Sequence, residues 1–357
     1  MSSALTDLCR YPIVQAPMAG GVSSAQLAGA VAEAGGLGFL AAGYKTADGM
    51  YDEIKTLRGM TGQPFGVNLF MPQSGLADPS AVAVYRSQLA AEAAWYETPL
   101  GDPVPGGDDD YEAKTAILLE DPVPVVSFTF GCPSRDILDA FAGVGTFTVV
   151  TVTSPEEAQA AQWAGADAVC VQGIEAGGHQ STHRDDPQAG PSGTGLLSLV
   201  AQVRETVQLP IIAAGGLMRG SQITAVLAAG ADAAHMGTAF LACHESGAHP
   251  LHKQALTNPL FARTALTRTF SGRPARSLVN RFVREHGPYA PAAYPQVHHL
   301  TRGLRKAAAQ AGDAQGMALW AGQGHRMARE LPARELIALL VAEMEAARTA
   351  VNIRSVR

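Results

Sequence analysis

Two histidines four residues apart stand in GIEAGGHQSTHRDD, residues 173–186: His179, directly after Gly177 and Gly178, and His183. On a helix this spacing would turn both imidazoles to one face, as in a two-ligand zinc site. The glycine pair and the lack of an apolar period argue against a helix. Glycines after an apolar run such as DAVCVQG (167–173) instead let the backbone turn sharply or approach a ligand closely. His179 is therefore a candidate proton acceptor. His183, beside Arg184, Asp185 and Asp186, reads as a loop contact. His249 and His252 in HPLH lack a third ligand, so no metal is expected. His298 and His299 read as surface residues near Tyr294. The four cysteines (Cys9, Cys132, Cys170, Cys243) are dispersed without a C-x-x-C pair, which points to free thiols.

The elements that must position these groups alternate short apolar or β-branched runs with alanine-rich helical segments, the pattern of parallel strands joined by crossover helices. Eight strands can be counted: 11–18, 36–43, 64–71, 122–131, 146–153, 167–173, 209–216 and 232–242. Eight is the number that closes a (β/α)8 TIM barrel, so the expected class is α/β. Ser23 with Gln26, and Ser154-Pro155 with Glu157, read as helix starts, and Gly35, Gly165 and Gly230 as helix stops. The echo between AGADAVCVQG (164–173) and AGADAAHMG (229–237) supports equivalent βα units.

Residues 1–243 form the expected barrel, with an excursion at 72–121 in which Asp108 to Asp110 read as a solvated helix start. Residues 244–315 read as a mainly helical lid or small second domain, its prolines at 288, 291 and 295 ruling out a long helix across them. Residues 316–357 read as a C-terminal segment returning to the barrel, with Leu336, Ile337, Leu340, Val341 and Met344 as the packing stripe of a last helix.

Composition removes whole classes. A net charge of −6 without a Lys/Arg cluster disfavours nucleic acid. No apolar run approaches the ~18 residues of a membrane span, and the N-terminus lacks a basic and apolar leader pattern, so a cytoplasmic location is expected.

In a barrel the chemistry sits where the strands end. Strand one ends in PMAGG, strand three in Asn68, strand six in Gln172 and the His179 loop, strand seven in AAGG and strand eight in HMGT. Loops after the seventh and eighth strands hold phosphate on bare backbone N–H groups, and Gly215, Gly216, Gly237 and Thr238 fit that use. No P-loop and no G-x-G-x-x-G is present, which disfavours triphosphates and a Rossmann-bound NAD. A phosphate site with amide side chains aimed into the same mouth suits FMN.

QAPMAGG, the Asn68 strand end, VQGIEAGGH, AAGGL, MGTAFL and WAGQG, in that order over nearly the whole chain, together resemble the nitronate monooxygenase family, formerly 2-nitropropane dioxygenases, in its bacterial class I form. The resemblance implies FMN at the barrel mouth, with Pro17, Met18 and Ala19 beside the ring, Asn68 and Gln172 on its polar edge, and Gly177 and Gly178 in the glycine loop. It assigns the phosphate to Gly215, Gly216 and the run His235, Met236, Gly237, Thr238. It brings Trp320, Gly322 and Gln323 back to the cofactor, and it makes His179 the catalytic histidine. Relatives often carry Arg-Gly after that histidine, where this chain has Gln180-Ser181, and glutamine where it has His235. The implied reaction oxidises alkyl nitronates, and some nitroalkanes, with dioxygen to a carbonyl compound and nitrite. Propionate 3-nitronate is among the family's substrates, so detoxification is the implied role, in a monomer or homodimer. The rival on the same barrel is an FMN-dependent NAD(P)H reductase of enoyl thioesters or quinones.

Overall fold

All eight expected strands are present in the computed structural model, which describes residues 4–73, 77–104, 109–186 and 193–355. They are β1 (Ile13–Gln15), β2 (Gly38–Ala41), β3 (Phe65–Phe70), β4 (Val125–Thr129), β5 (Phe147–Val152), β6 (Ala168–Gln172), β8 (Ile211–Ala214) and β9 (Ala233–Met236); β7 (Gly178–His179) is a two-residue strand outside the barrel. Every barrel pairing is parallel, in the order β1-β9-β8-β6-β5-β4-β3-β2. Hydrogen bonds from Gln15 N to Leu37 O and from Leu37 N to Ile13 O, both 2.9 Å, tie the two ends together. The result is the (β/α)8 barrel read from the sequence. The eighth strand was expected to run to residue 242 but stops at Met236, and a one-turn helix at Thr238–Leu241 follows Gly237.

Alternation along the strands sorts the core into two shells. Val14, Phe39, Val125, Val149, Cys170 and Ile212 form the cluster inside the barrel. Their neighbours Ile13, Leu40, Val126, Val150, Val169 and Ile211 belong to the cluster shared with the surrounding helices. By the same parity Asn68, Gln172 and His235 face inward and Met236 faces the helices, where it is buried.

Helix starts shift in one informative place. The helix Ala25–Glu33 is capped by Ser24, not Ser23. Ser23 Oγ instead accepts from Met18 N at 2.8 Å and from Gln15 Nε2 at 2.9 Å, fixing the turn after β1. Ser154 caps Pro155–Ala164 as expected, and Gly165 ends it in the left-handed region. Glu157, the expected capping partner, accepts from Thr153 N at 2.6 Å and from His183 N at 2.7 Å, so it anchors the His179 loop as well.

The excursion after β3 contains helices Pro79–Gln88, Ala90–Trp95 and Tyr111–Glu120. Its acidic run is more than a solvated start. Asp109 accepts from Tyr44 N at 2.9 Å and pairs with the buried Lys114 at 2.8 Å, tying the excursion to the loop after β2; Asp108 lies outside the described residues.

Residues 244–315 are less purely helical than expected. Helices Pro250–Ala255, Arg281–His286 and Gln296–Gln310 are joined by strands β10 (Thr264–Thr267) and β11 (Ala275–Leu278), which pair antiparallel. The prolines at 288, 291 and 295 all precede the long helix. Strand β11 also pairs with β7, Ala275 opposite His179 and Arg276 opposite Gly178. The last helix, Ala333–Ser355, buries Leu336, Ile337, Leu340 and Met344 in the outer core. No helix among the described residues is long and apolar enough to cross a membrane.

Candidate active site

A cavity of about 590 Å³ opens at the ends of the barrel strands. Pro17, Met18, Ala19, Asn68, Gln172, Gly177, Gly178, His179, Gly215, Gly216, His235, Gly237, Thr238 and Trp320 all line it, as the sequence reading places them. Three expected contacts do not. Met236 is turned outward by strand parity, and only its carbonyl serves the site by accepting from Ala16 N at 3.0 Å. Gln323 is exposed, and Gly322 lies behind the wall. Gly322 N donates to Thr238 Oγ1 at 2.9 Å, and a Cβ added at Gly177 would sit 2.4 Å from Gly322 N. The late WAGQG run therefore packs backbone to backbone against the glycine loop, and Gly177 is a glycine because of that packing.

Gly178 has a different reason. Its φ of +74° lies in the left-handed region, while a Cβ there would meet nothing within 4 Å. That turn delivers His179 onto β7, where the pairing with β11 fixes its backbone. Gln172 secures the same loop from below: its Nε2 donates to His179 O at 3.0 Å and its Oε1 accepts from Ser181 N at 2.8 Å. The buried Arg273 covers the loop carbonyls, donating to Gln180 O and Thr182 O.

His179 sits among Phe130, Tyr294 and Trp320, with ring centroids 5.6, 5.8 and 5.5 Å away. Its Nε2 is 2.9 Å from Ser271 Oγ. With the serine proton on the Arg273 carbonyl at 3.2 Å, Nε2–H donates to the serine and Nδ1 keeps a lone pair. The imidazole of His179 does not keep its ordinary value of 6.5. Burial, together with the charges of Arg273 and Arg305, pushes its pKa down to about 3, so His179 stays uncharged at any ordinary pH.

The other histidines separate by role. His183 Nε2 donates to Thr151 O at 3.0 Å, making it the loop anchor expected of it. His249 is a helix cap, accepting from Leu251 N. His252 donates to Trp320 O at 2.9 Å and so holds the indole in the wall. His298, expected at the surface, is buried and stacked 4.1 Å from Tyr44. His235 faces Cys170 Sγ at 3.1 Å inside the barrel, where burial lowers the imidazole to about 4 and raises the thiol to about 12; both stay neutral.

The opposite end of the cavity is built from backbone. Among the described residues the N–H groups of Gly215, Gly216 and Gly237 have no hydrogen-bond acceptor. Gly216 is left-handed at φ +65°. A Cβ at Gly237 would stand at ordinary contact from Ala16 Cβ, 3.4 Å, so protein packing alone does not demand a glycine there. The helix after β8 starts only at Gly220, so Gly215 and Gly216 present bare amides, whereas Gly237 stands at the start of the one-turn helix Thr238–Leu241. Asn68 Nδ2 donates to Ser127 Oγ and Thr129 Oγ1, both at 2.9 Å, which leaves Oδ1 as the atom free to accept from a ligand. No aspartate or glutamate is among the described residues lining the cavity.

The sequence reading missed Ser271, Arg273 and Arg305, from segments that carry no strand-end motif, and Tyr44, directly after the second expected strand. Phe130 was not singled out either, and Tyr294 was noted only as a neighbour of His298 and His299. Only the Gly-Arg-Pro run at 272–274 hinted at a constrained arginine.

The model of the family described as "Nitronate monooxygenase" matches residues 2–343. Nitronate monooxygenase of Pseudomonas aeruginosa PAO1 is 44% identical over 352 residues, covering 94% of this chain and 96% of its own. Nitronate monooxygenase of Paraburkholderia phytofirmans is 39% identical, covering 94% and 92%. Among solved structures, nitroalkane oxidase from Streptomyces ansochromogenes superposes with a TM-score of 0.96 at 72% identity, covering 98% of this chain and 100% of that one. FabK from Thermotoga maritima superposes with a TM-score of 0.75 at 28% identity, covering 100% of each chain.

Proposed function

The chain belongs to the nitronate monooxygenase family and is an oxidoreductase, and from that premise we propose that it oxidises alkyl nitronates with dioxygen at a bound FMN, releasing a carbonyl compound and nitrite. The observation that carries the reading is the polarity of this cavity: unpaired backbone amides at one end and a neutral imidazole at the other. Free N–H groups of Gly215, Gly216 and Gly237, with the Thr238 hydroxyl beside them, fit a single phosphate. Asn68 Oδ1 fits a ring N–H, and Pro17, Met18 and Ala19 supply an apolar wall. FMN, when bound there, supplies the electron-transfer chemistry that no side chain can.

The chain's own residues then do three things. The aromatic ring of Phe130, Tyr294 and Trp320 keeps water from the reacting carbon. Ser271 fixes the imidazole so that Nδ1 can accept a hydrogen bond, or the α-proton of a neutral nitroalkane. A base with a pKa near 3 is poorly matched to a weak carbon acid, so preformed nitronates are the better substrates and nitroalkanes turn over more slowly. Removal of toxic nitronates such as propionate 3-nitronate is the inferred role. Four free thiols accord with a reducing, cytoplasmic setting.

The test is to denature the purified protein and chromatograph the released cofactor, then mix the native protein anaerobically with NADH and separately with ethyl nitronate. FMN and bleaching by the nitronate are expected. FAD would remove the phosphate assignment, and fast bleaching by NADH would favour the NAD(P)H reductase reading.

A further inference from the structure

Arg305 stands apart from the other interior cations. Arg273 spends its guanidinium on Gln73 and on the carbonyls of Gln180 and Thr182. Arg268 pairs with Asp185, and Arg281 with Glu92. Arg305 lines the cavity and has no carboxylate partner among the described residues. Its Nη2 donates to His298 Nδ1 at 3.3 Å and to His298 O at 3.1 Å, and its Nε reaches Thr301 O at 3.4 Å. Nη1 has no acceptor among the described residues. His298, in turn, is clamped against Tyr44, whose hydroxyl accepts from Tyr294 at 3.2 Å, and Tyr294 packs against His179. A continuous set of side chains thus holds the guanidinium at the rim of the pocket that contains the imidazole.

Its position separates it from the phosphate end. Arg305 is held through His298 beside Tyr44, on the loop after β2, whereas the bare amides follow β8, which lies opposite β3 in the strand order, and β9, which has β1 between it and β2. A part-buried cation without a counter-ion is costly and calls for a bound anion.

We propose that Arg305 is the anion anchor for substrate, placing its free Nη1 against the nitronate oxygens and thereby selecting the ionised form over the neutral nitroalkane. A planar guanidinium fork matches two oxygens on one atom, the geometry of a nitronate as of a carboxylate. The inference rests on the nitronate-oxidising reading and deepens it.

The experiment compares wild type with flavin-replete Arg305→Met and Arg305→Gln, the second keeping a polar contact to His298 without charge. Ethyl nitronate and nitroethane share a carbon skeleton, and nitrate serves as an unreactive planar oxyanion. Both variants should raise KM for ethyl nitronate and Ki for nitrate by ~10- to 100-fold, the value of a lost charged hydrogen bond. KM for nitroethane should move by less than about threefold, because the neutral substrate offers no charge to hold. Unchanged KM and Ki would overturn the proposal, and so would equal losses for nitronate and nitroethane, which mark a packing residue. If wild type consumes no nitronate, the functional reading fails by itself, and nitrate titration by calorimetry still decides Arg305: equal affinity in all three proteins removes the anchor.

Discussion

The two ends of the cavity are made of different material. Around Gly215, Gly216 and Gly237 the ligand faces backbone, with scarcely a side chain in the way. Around His179 it faces side chains drawn from the loop after β2, the end of β4, the β10–β11 hairpin and the helix Gln296–Gln310. A backbone cradle, the proposed phosphate site, tolerates few changes because any added Cβ enters the space of the ligand. A side-chain cage can be retuned position by position, each change altering one contact to the loop or the ligand, as the Arg273 bonds to Gln180 O and Thr182 O show.

If that contrast is right, damage at one end should leave the other intact. The largest effect is expected from His179→Asn. Turnover of nitroethane should fall by roughly 10² or more, the lower end of what a general base contributes, while flavin content stays at the wild-type level. With preformed ethyl nitronate the loss should be no more than about tenfold, since only a hydrogen bond goes. Steady-state rates on both substrates decide it; equal losses would mean that His179 merely holds the loop.

Gly237→Val attacks the other end. The side chain would fill the space of the proposed phosphate, and affinity for FMN should drop by about 10²-fold, a loss of two or three charge-assisted hydrogen bonds at the low end of their worth. Because Ala16 and Met18 leave ordinary contact distance there, the flavin-free variant should melt close to flavin-free wild type. Fluorescence titration with FMN beside a thermal melt checks both; outright unfolding would make Gly237 a packing glycine.

Ser271→Ala is a finer probe of the cage. Losing one hydrogen bond to the imidazole should cost kcat about 3- to 10-fold and leave flavin binding untouched. A shift in flavin affinity as large as that in kcat would break the proposed division of labour.

The smallest effect per residue concerns pH and both ends at once. Burial lowers His179 to about 3, His235 and His252 to about 4 and His298 to about 2, from an ordinary 6.5. Between those values and 6.5 the unfolded chain binds more protons than the folded one, so stability is full above about pH 6.5 and is lost as pH falls. Each histidine contributes at most about 1.4 kcal/mol per pH unit in that window. Melting temperature should therefore be flat from pH 7 to 8 and fall with increasing steepness from pH 6.5 to 4.5. A flat profile down to pH 4.5 would mean that these imidazoles are hydrated.

What could be read from the sequence follows the same division. Strand parity and glycine loops are local signals, so the barrel, Asn68, Gln172, Gly215, Gly216 and Gly237 were legible. Parity should also have excluded Met236, since its neighbour His235 faces inward. Gly177 was legible as important but not for its reason, because its partner Gly322 lies 145 residues on and leaves no trace in the local pattern. The cage was mostly invisible. Ser271, Arg273 and Arg305 meet His179 only through pairing of β7 with β11 and packing of the helix Gln296–Gln310, long-range contacts with no periodicity of their own. His298 looked like a surface residue because its burial depends on Tyr44, which comes from the other half of the chain.

The pairing of β7 with β11 also bears on how such enzymes can be recombined. His179 belongs by sequence to a barrel loop, yet its backbone is hydrogen-bonded into a sheet whose other two strands come from residues 264–278. A chimaera that exchanges that hairpin between relatives imports the template against which the histidine is laid. Substrate preference and catalytic geometry would then be inherited together, as one module rather than two.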